Sequence, residues 1–323
     1  MESKKRIIKD FFLKYSFPFA LLILIVVFTV STNYFFTLDN LINMLHTLAP
    51  TLIMISGMVF VILTGAIDFS VGSIAFVAAS IGTYFMVYQN INPWIAVIII
   101  LISGALAGAF NGFIIEVLKV NPLIATFGTM LAYRGLGYLI AGSKYTKIPD
   151  SLVAMHLWKI GPVFVDILIA IGIVCFLYFI QNRTMFGKQI MAVGNGKSIA
   201  EKLTVKVTPI NWSAFVISGF FAALGSIFNL AQGSFLSPSL GQGLEFDGIA
   251  IAVIGGISLF GGEGPILGLL LGVFTVYIIE NGLHHVGVSP YIYPLLRGAI
   301  IFIAMYADSL RTQLRVVKVK IKD

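Results

Sequence analysis

An acid, hydroxyls and paired glycines interrupt apolar sequence at Thr64-Gly65-Ala66-Ile67-Asp68-Phe69-Ser70-Val71-Gly72-Ser73, between the apolar residues 49–63 and 71–88. Polar backbone at membrane depth persists only where protein buries it or where it lines a wet cavity. An ionisable side chain there points to function by default. Asp68 and Ser70 therefore have two readings. They line or gate a path through a membrane, or they cap the helix that starts near Val71, since Asp and Ser are good N-caps. Arg134 lies inside another apolar run and must find a partner or water, as a structural ion pair or as a solute contact. Asn111 sits beside regularly spaced glycines and can bond across helices. Asp247 opens a late apolar run, where path and N-cap are again the two readings. Arg297, near a helix end, is expected to snorkel to the interface.

These residues need a scaffold, and composition defines it. Of the 323 residues, 58% are hydrophobic and 11% charged, and the mean hydropathy is +0.97. Soluble domains carry about 25% charged residues. The chain is thus an integral membrane protein, and its net charge of +7 belongs to loops and tails rather than to a nucleic-acid surface. A basic start followed by an apolar run at 17–30 is signal-like. No small-residue cleavage site follows, so it reads as an uncleaved first span. The single cysteine, Cys175, lies in an apolar run and reads as a small buried hydrophobe.

Ten apolar segments approach the ~20 residues a helical span needs. They cover 16–34, 46–64, 70–88, 94–117, 122–141, 162–180, 209–230, 247–260, 264–280 and 290–307, the eighth and ninth being short and glycine-rich. If the N-terminus is inside and the spans alternate, sixteen Lys and Arg fall inside and three outside, which predicts that both termini are cytoplasmic. The fold class is all-α: one polytopic helix bundle, with membrane core 16–307 and a basic tail 308–323. Glycine-rich breaks at 65–72, and at 241–243 with 255–264, suggest two pseudo-repeated halves. Gly104, Gly108 and Gly112, and likewise Gly264, Gly268 and Gly272, recur every fourth residue and predict close helix packing. The one long inside loop, 181–209, is too polar to span. It reads as short amphipathic helices docked on a partner, or as a solvated loop.

Autonomous chemistry is hard to find. Gly196-Lys197-Ser198 resembles the end of a phosphate loop, but Met191 stands where its first glycine belongs. Gly262-Glu263-Gly264 lacks a βαβ setting for a dinucleotide. His284 and His285 are adjacent, a poor metal pair that reads as an outer loop. Neither a hydrolytic triad nor an acidic pair within one span is visible, so the energy source belongs on another chain.

Four ordered blocks resemble the ribose-type ABC importer permeases. The first is Gly65 to Ser73, similar to G-x-D-L-S-V-G-S with Phe69 for the usual Leu. The second is Asn111-Gly112 followed by residues 121–130 and Arg134-Gly135. The third, Phe186-Gly187 through Ala192-Val193-Gly194 and Ala200, looks like the family's cytoplasmic coupling loop. The fourth is Asp247 to Gly256 with Gly261-Gly262. Ile199 and Thr204 depart from the family's A-A-x-x-x-G-I continuation, at its first alanine and its glycine. The resemblance implies a permease subunit in the cell (inner) membrane that itself binds no cofactor. Cytoplasmic ABC ATPase subunits would bind ATP and Mg, an extracytoplasmic solute-binding protein would deliver the solute, and a second permease copy or a paralogue would complete the pore. It implies alternating-access import of a small hydroxylated solute, a monosaccharide such as ribose, with nucleosides or other sugar-like solutes as the alternative. An ion-coupled secondary transporter and an intramembrane enzyme are weaker readings of the same residues.

Overall fold

The computed structural model describes residues 21–142, 144–299 and 302. The long helices are α2 (Leu38–Leu63), α4 (Pro93–Glu116), α5 (Pro122–Ala141), α7 (Val165–Arg183) and α10 (Val207–Gly233), each long and apolar enough to cross a membrane. Shorter ones are α1 (Leu21–Ser31), α3 (Val71–Val87), α6 (Asp150–Val153), α8 (Met185–Gly194), α9 (Lys197–Lys202), α11 (Leu244–Ile254) and α12 (Gly268–His285). Residues 293–299 are again helical. Two antiparallel pairs of two-residue strands tie loops together: β1 (Thr146–Lys147) with β4 (Phe235–Leu236), and β2 (Lys159–Ile160) with β3 (Val163–Phe164).

Local chemistry sets these boundaries. α4 and α5 both open at Asn-Pro. Asn92 and Asn121 accept from the amides of Trp94 and Leu123 at 2.9 and 3.0 Å, and the proline has no amide to satisfy. Pro50 inside α2 frees the carbonyl of His46, and the Gln232 amide of α10 donates to that oxygen at 2.6 Å. In α2, 78% of the apolar window is buried, and in α10, 72%; the figures for α4, α5 and α7 are 22%, 28% and 33%. The α2–α10 pair is therefore the core, and the other three turn broad apolar faces outward. α4 lies on α10 through the first glycine ladder: a Cβ at Gly108 would stand 2.1 Å from the Phe215 carbonyl oxygen. The second ladder seats α12 on α11, where Gly268 meets the Gly255 carbonyl and Gly272 that of Ile251.

The second to seventh expected spans overlap α2, α3, α4, α5, α7 and α10, although α2 starts at Leu38, well before the expected 46. The expected loop 181–209 is helical as α8 and α9. The eighth span is different. α11 has 11 residues, about 16 Å at 1.5 Å per residue, or half a membrane. The chain reaches it through residues 234–243, which run beside α5. Tyr138 donates to the Pro238 carbonyl at 3.2 Å, and Arg134, one helical turn back, to that of Leu240 at 2.7 Å. Arg134 lies mid-way along α5, so this irregular strand dips into the bundle and α11 starts inside it. Residues 16–20 of the first expected span, 300, 301 and 303–307 of the tenth, and the basic tail lie outside the described residues.

Candidate functional site

Asp68, Ser70 and Asn111 come together. Asp68 Oδ1 accepts from the Ser70 amide (2.9 Å) and hydroxyl (2.6 Å), and Oδ2 accepts from the Ser218 hydroxyl of α10 (2.8 Å). Asn111 of α4 donates to Ser70 Oγ at 2.7 Å, and Tyr133 of α5 donates to the Ala107 carbonyl at 2.9 Å beside Asn111 Oδ1. Thr126 of α5 donates to the Ile67 carbonyl at 3.2 Å. All six side chains, of Asp68, Ser70, Asn111, Thr126, Tyr133 and Ser218, are buried. The capping reading is corrected: Ser70 occupies the N-cap of α3, but its hydroxyl serves Asp68 and makes no cap bond. A carboxylate with three donors is satisfied as a buried charge must be. The cluster locks the α2–α3 turn to three other helices.

Arg134 and Asp247 lie apart from it. The Arg134 guanidinium donates to the Leu240 carbonyl and sits 4.9 Å from the centre of the Phe76 ring. Asp247 is the fourth residue of α11, whose N-cap is Gly243, so it caps nothing. It pairs with Arg297 at 2.8 Å, and Arg297 also holds Glu280 of α12 at 2.5 Å. Arg297 thus joins three helical segments instead of snorkelling. Glu245 shares the first turn of α11 and is buried, so an acidic pair does exist where none was expected. Glu245 and Glu280 were missed, although rare acids in so apolar a sequence were the available signal.

The α8–α9 segment meets both glycine-rich breaks. Gly194 has no room for a side chain: a Cβ would stand 2.0 Å from the Leu63 carbonyl oxygen and 2.2 Å from the Gly262 nitrogen. The Gly262 amide itself donates to Leu63 at 2.9 Å, and Asn195 donates to the Gly262 carbonyl at 3.1 Å. Gln181 at the end of α7 bonds the same loop twice, donating to the Gly264 carbonyl (2.7 Å) and accepting from the Ile266 amide (3.0 Å). Phe186 packs at 6.0 Å from Phe60, centre to centre, and Gly187 sits against the carbonyls of Ile180 and Gln181. Ala200 is buried and Ala192 half-buried. Met185, Ile199 and Leu203 stand exposed. Displacing α8 must therefore move the end of α2 and the α11–α12 loop together. Gln181 and Asn195 carried no spacing signal in the sequence.

Elsewhere, Cys175 is exposed, not buried, because α7 is an outer helix. His284 and His285 belong to the last turn of α12, and His285 lies 3.1 Å from Asn40 Oδ1. Among the described residues no three metal-ligating side chains are grouped.

Broken helices inside a bundle, buried acids at the breaks and an amphipathic segment seated on their ends define a membrane transport subunit. Residues 40–305 match the family described as branched-chain amino acid transport system / permease component, and the chain belongs to it. The ribose import permease protein RbsC of Escherichia coli K12 is 32% identical over 295 residues, 90% of this chain and 92% of that protein. RbsC of Bacillus subtilis 168 is 31% identical over 94% of this chain and 96% of its own length. The galactose/methyl galactoside import permease protein MglC of Salmonella typhimurium LT2 is 31% identical, covering 90% of this chain and 93% of that protein. No solved structure matches the chain at a significant level.

Proposed function

We propose that this chain is the membrane-spanning subunit of an ATP-driven importer for a monosaccharide, with ribose as the first solute to test. The seat of Gly194 on Leu63 and Gly262 carries the reading, because it links a partner-facing segment to both breaks of the bundle. On this reading α8 and α9 dock cytoplasmic ATPase subunits, which bind ATP and Mg. An extracytoplasmic binding protein delivers the sugar, and a second permease copy or a paralogue completes the pathway. The charge asymmetry of the loops supports cytoplasmic termini in the inner membrane. Asp68, Ser70 and Asn111 act as the gate lock; Arg134 holds the strand that leads into the half-helix α11, and Asp247 holds α11 itself, at the border of the path. Binding of ATP by the partners shifts the population between inward- and outward-open states.

The relatives named for ribose and for galactose motivate a comparative assay. Proteoliposomes holding the chain with its ATPase subunits and binding protein are loaded with ATP and given labelled ribose, galactose or a nucleoside. Ribose uptake that requires ATP supports the reading. Uptake by this chain alone, collapsing with a sodium or proton ionophore, would replace it with an ion-coupled carrier.

A further inference from the structure

The C-terminal end of α4 carries a buried acid that the gate does not use. Glu116 is the last residue of α4 and is 5% exposed. An acid at a helix C-terminus opposes the helix dipole, and a buried carboxylate must be paired or hydrogen-bonded. Three groups compensate it. Asn211, in the second turn of α10, donates to Oε1 at 2.7 Å. Lys197, the first residue of α9, places Nζ 3.8 Å from the same oxygen. Lys119, in the following turn, lies 3.9 Å from Oε2. Glu116 is thus where α4, α10 and α9 meet. Five residues before it on α4 stands Asn111, which holds Ser70 and through it Asp68.

We propose that Glu116 is a positioning residue that tethers α9 to α4, so that displacement of α9 is passed along α4 to Asn111. This rests on the permease reading above. It assigns a second mechanical route beside the seat of α8. The Gly194 seat acts on the ends of α2 and the α11–α12 loop, and the Glu116 tether acts on the side of the lock. A rigid helix carries such a displacement without deformation over about 8 Å, five residues of rise. Because Lys197 is 55% exposed as a side chain, its half of the tether contributes little to folding and can be removed cleanly.

The test is the ratio of sugar transported to ATP hydrolysed in proteoliposomes of the full complex. Glu116→Gln keeps an acceptor for Asn211 but removes the charge that Lys197 meets. Lys197→Gln removes the other partner from the surface. Each should lower the ratio about fivefold, the low end of energetic coupling between sites, with ATPase co-purification unchanged. The double variant should be no worse than either single one. In a Cys175→Ser background, Glu116→Cys with Lys197→Cys should be uncoupled when reduced and recover when a short bifunctional thiol reagent bridges the pair. An unchanged ratio in Lys197→Gln, or transport and hydrolysis that fall in equal proportion, would overturn the tether. Failure of the unsubstituted complex to transport would instead overturn the permease reading.

Discussion

The two glycine-rich breaks begin alike and are held differently. α2 ends with Gly65 at φ +82°, its amide donating to Ile62 and that of Ala66 to Val61. α11 ends with Gly256 at φ +80°, its amide donating to Val253 and that of Ile257 to Ala252. Both are Schellman ends, in which a left-handed glycine closes the last carbonyls. Beyond that point they diverge. The first break is locked from within the bundle, by Asp68 and the hydroxyl and amide side chains of α3, α4 and α10. The second uses Gly261, Gly262 and Gly264 at positive φ, and its polar partners come from Gln181 and Asn195 beside α8. One fold element thus answers to two masters. The α8 segment touches both through Gly194, but only the first break is also locked from inside the bundle by Asp68, whereas the side-chain bonds of the second come from Gln181 and Asn195.

The largest expected effect breaks the seat that joins them. Gly194→Val puts side-chain atoms where the Leu63 carbonyl stands, so α8 must lift off both breaks. Transport should fall by about two orders of magnitude or more, since about 1.4 kcal/mol of lost coupling per tenfold is easily exceeded by such a clash. Detergent-purified protein should still insert and elute as one species. Next comes the second break alone. Gln181→Leu leaves the buried Ile266 amide without a partner, which costs about 1–3 kcal/mol, and removes the half-buried bond to the Gly264 carbonyl as well. A lowered melting midpoint in detergent, with transport reduced more than ATPase activity, is the result to look for.

Asp68→Asn addresses the first break. The amide keeps one oxygen for the Ser70 donors but turns an NH2 toward Ser218, whose hydroxyl can rotate to accept. Charge-assisted hydrogen bonds weaken to neutral ones, about 1 kcal/mol each. Stability should drop by less than for Gln181→Leu, while transport falls about tenfold through a loosened gate. Similar stability with unaltered transport would mean that Asp68 only closes a turn. The contrast between the two variants separates bundle-side from partner-side control.

Much of this was legible in the sequence, and what was not has a physical cause. Hydropathy found α2 to α5, α7 and α10, and the glycine ladders pack helices closely, except that Gly264 lies in the loop before α12 at φ +122° and is not a rung of the second. Three things were hidden. Within a bilayer, a lipid-facing helix is as apolar as a buried one. Composition therefore could not tell that Cys175 faces outward while Met58 of α2 is wholly buried. Hydropathy also lacks direction. Residues 247–260 are apolar enough to count as a span, yet the chain enters α11 half-way through the bundle. The partners of Asp68 were hidden too: Ser218 lies 150 residues away, and a lone serine in a helix carries no periodic signal.

The smallest expected effect concerns the departure from the family's coupling loop. Thr204 adopts φ +62°, just after α9, where the resemblance places glycine. A β-branched residue pays about 1–2 kcal/mol in the left-handed region, and glycine pays none of it there. Against this, glycine widens the unfolded ensemble, which returns about 0.4–1 kcal/mol. Thr204→Gly should therefore stabilise the chain by roughly 1 kcal/mol or less, seen as a rise of a few degrees at most in the melting midpoint. Coupling should be unaffected, because among the described residues the Thr204 hydroxyl bonds only the neighbouring Leu203 carbonyl. Should the ratio of transport to hydrolysis drop instead, the strained turn after α9 would belong to the partner-side control, beside Gly194 and Glu116.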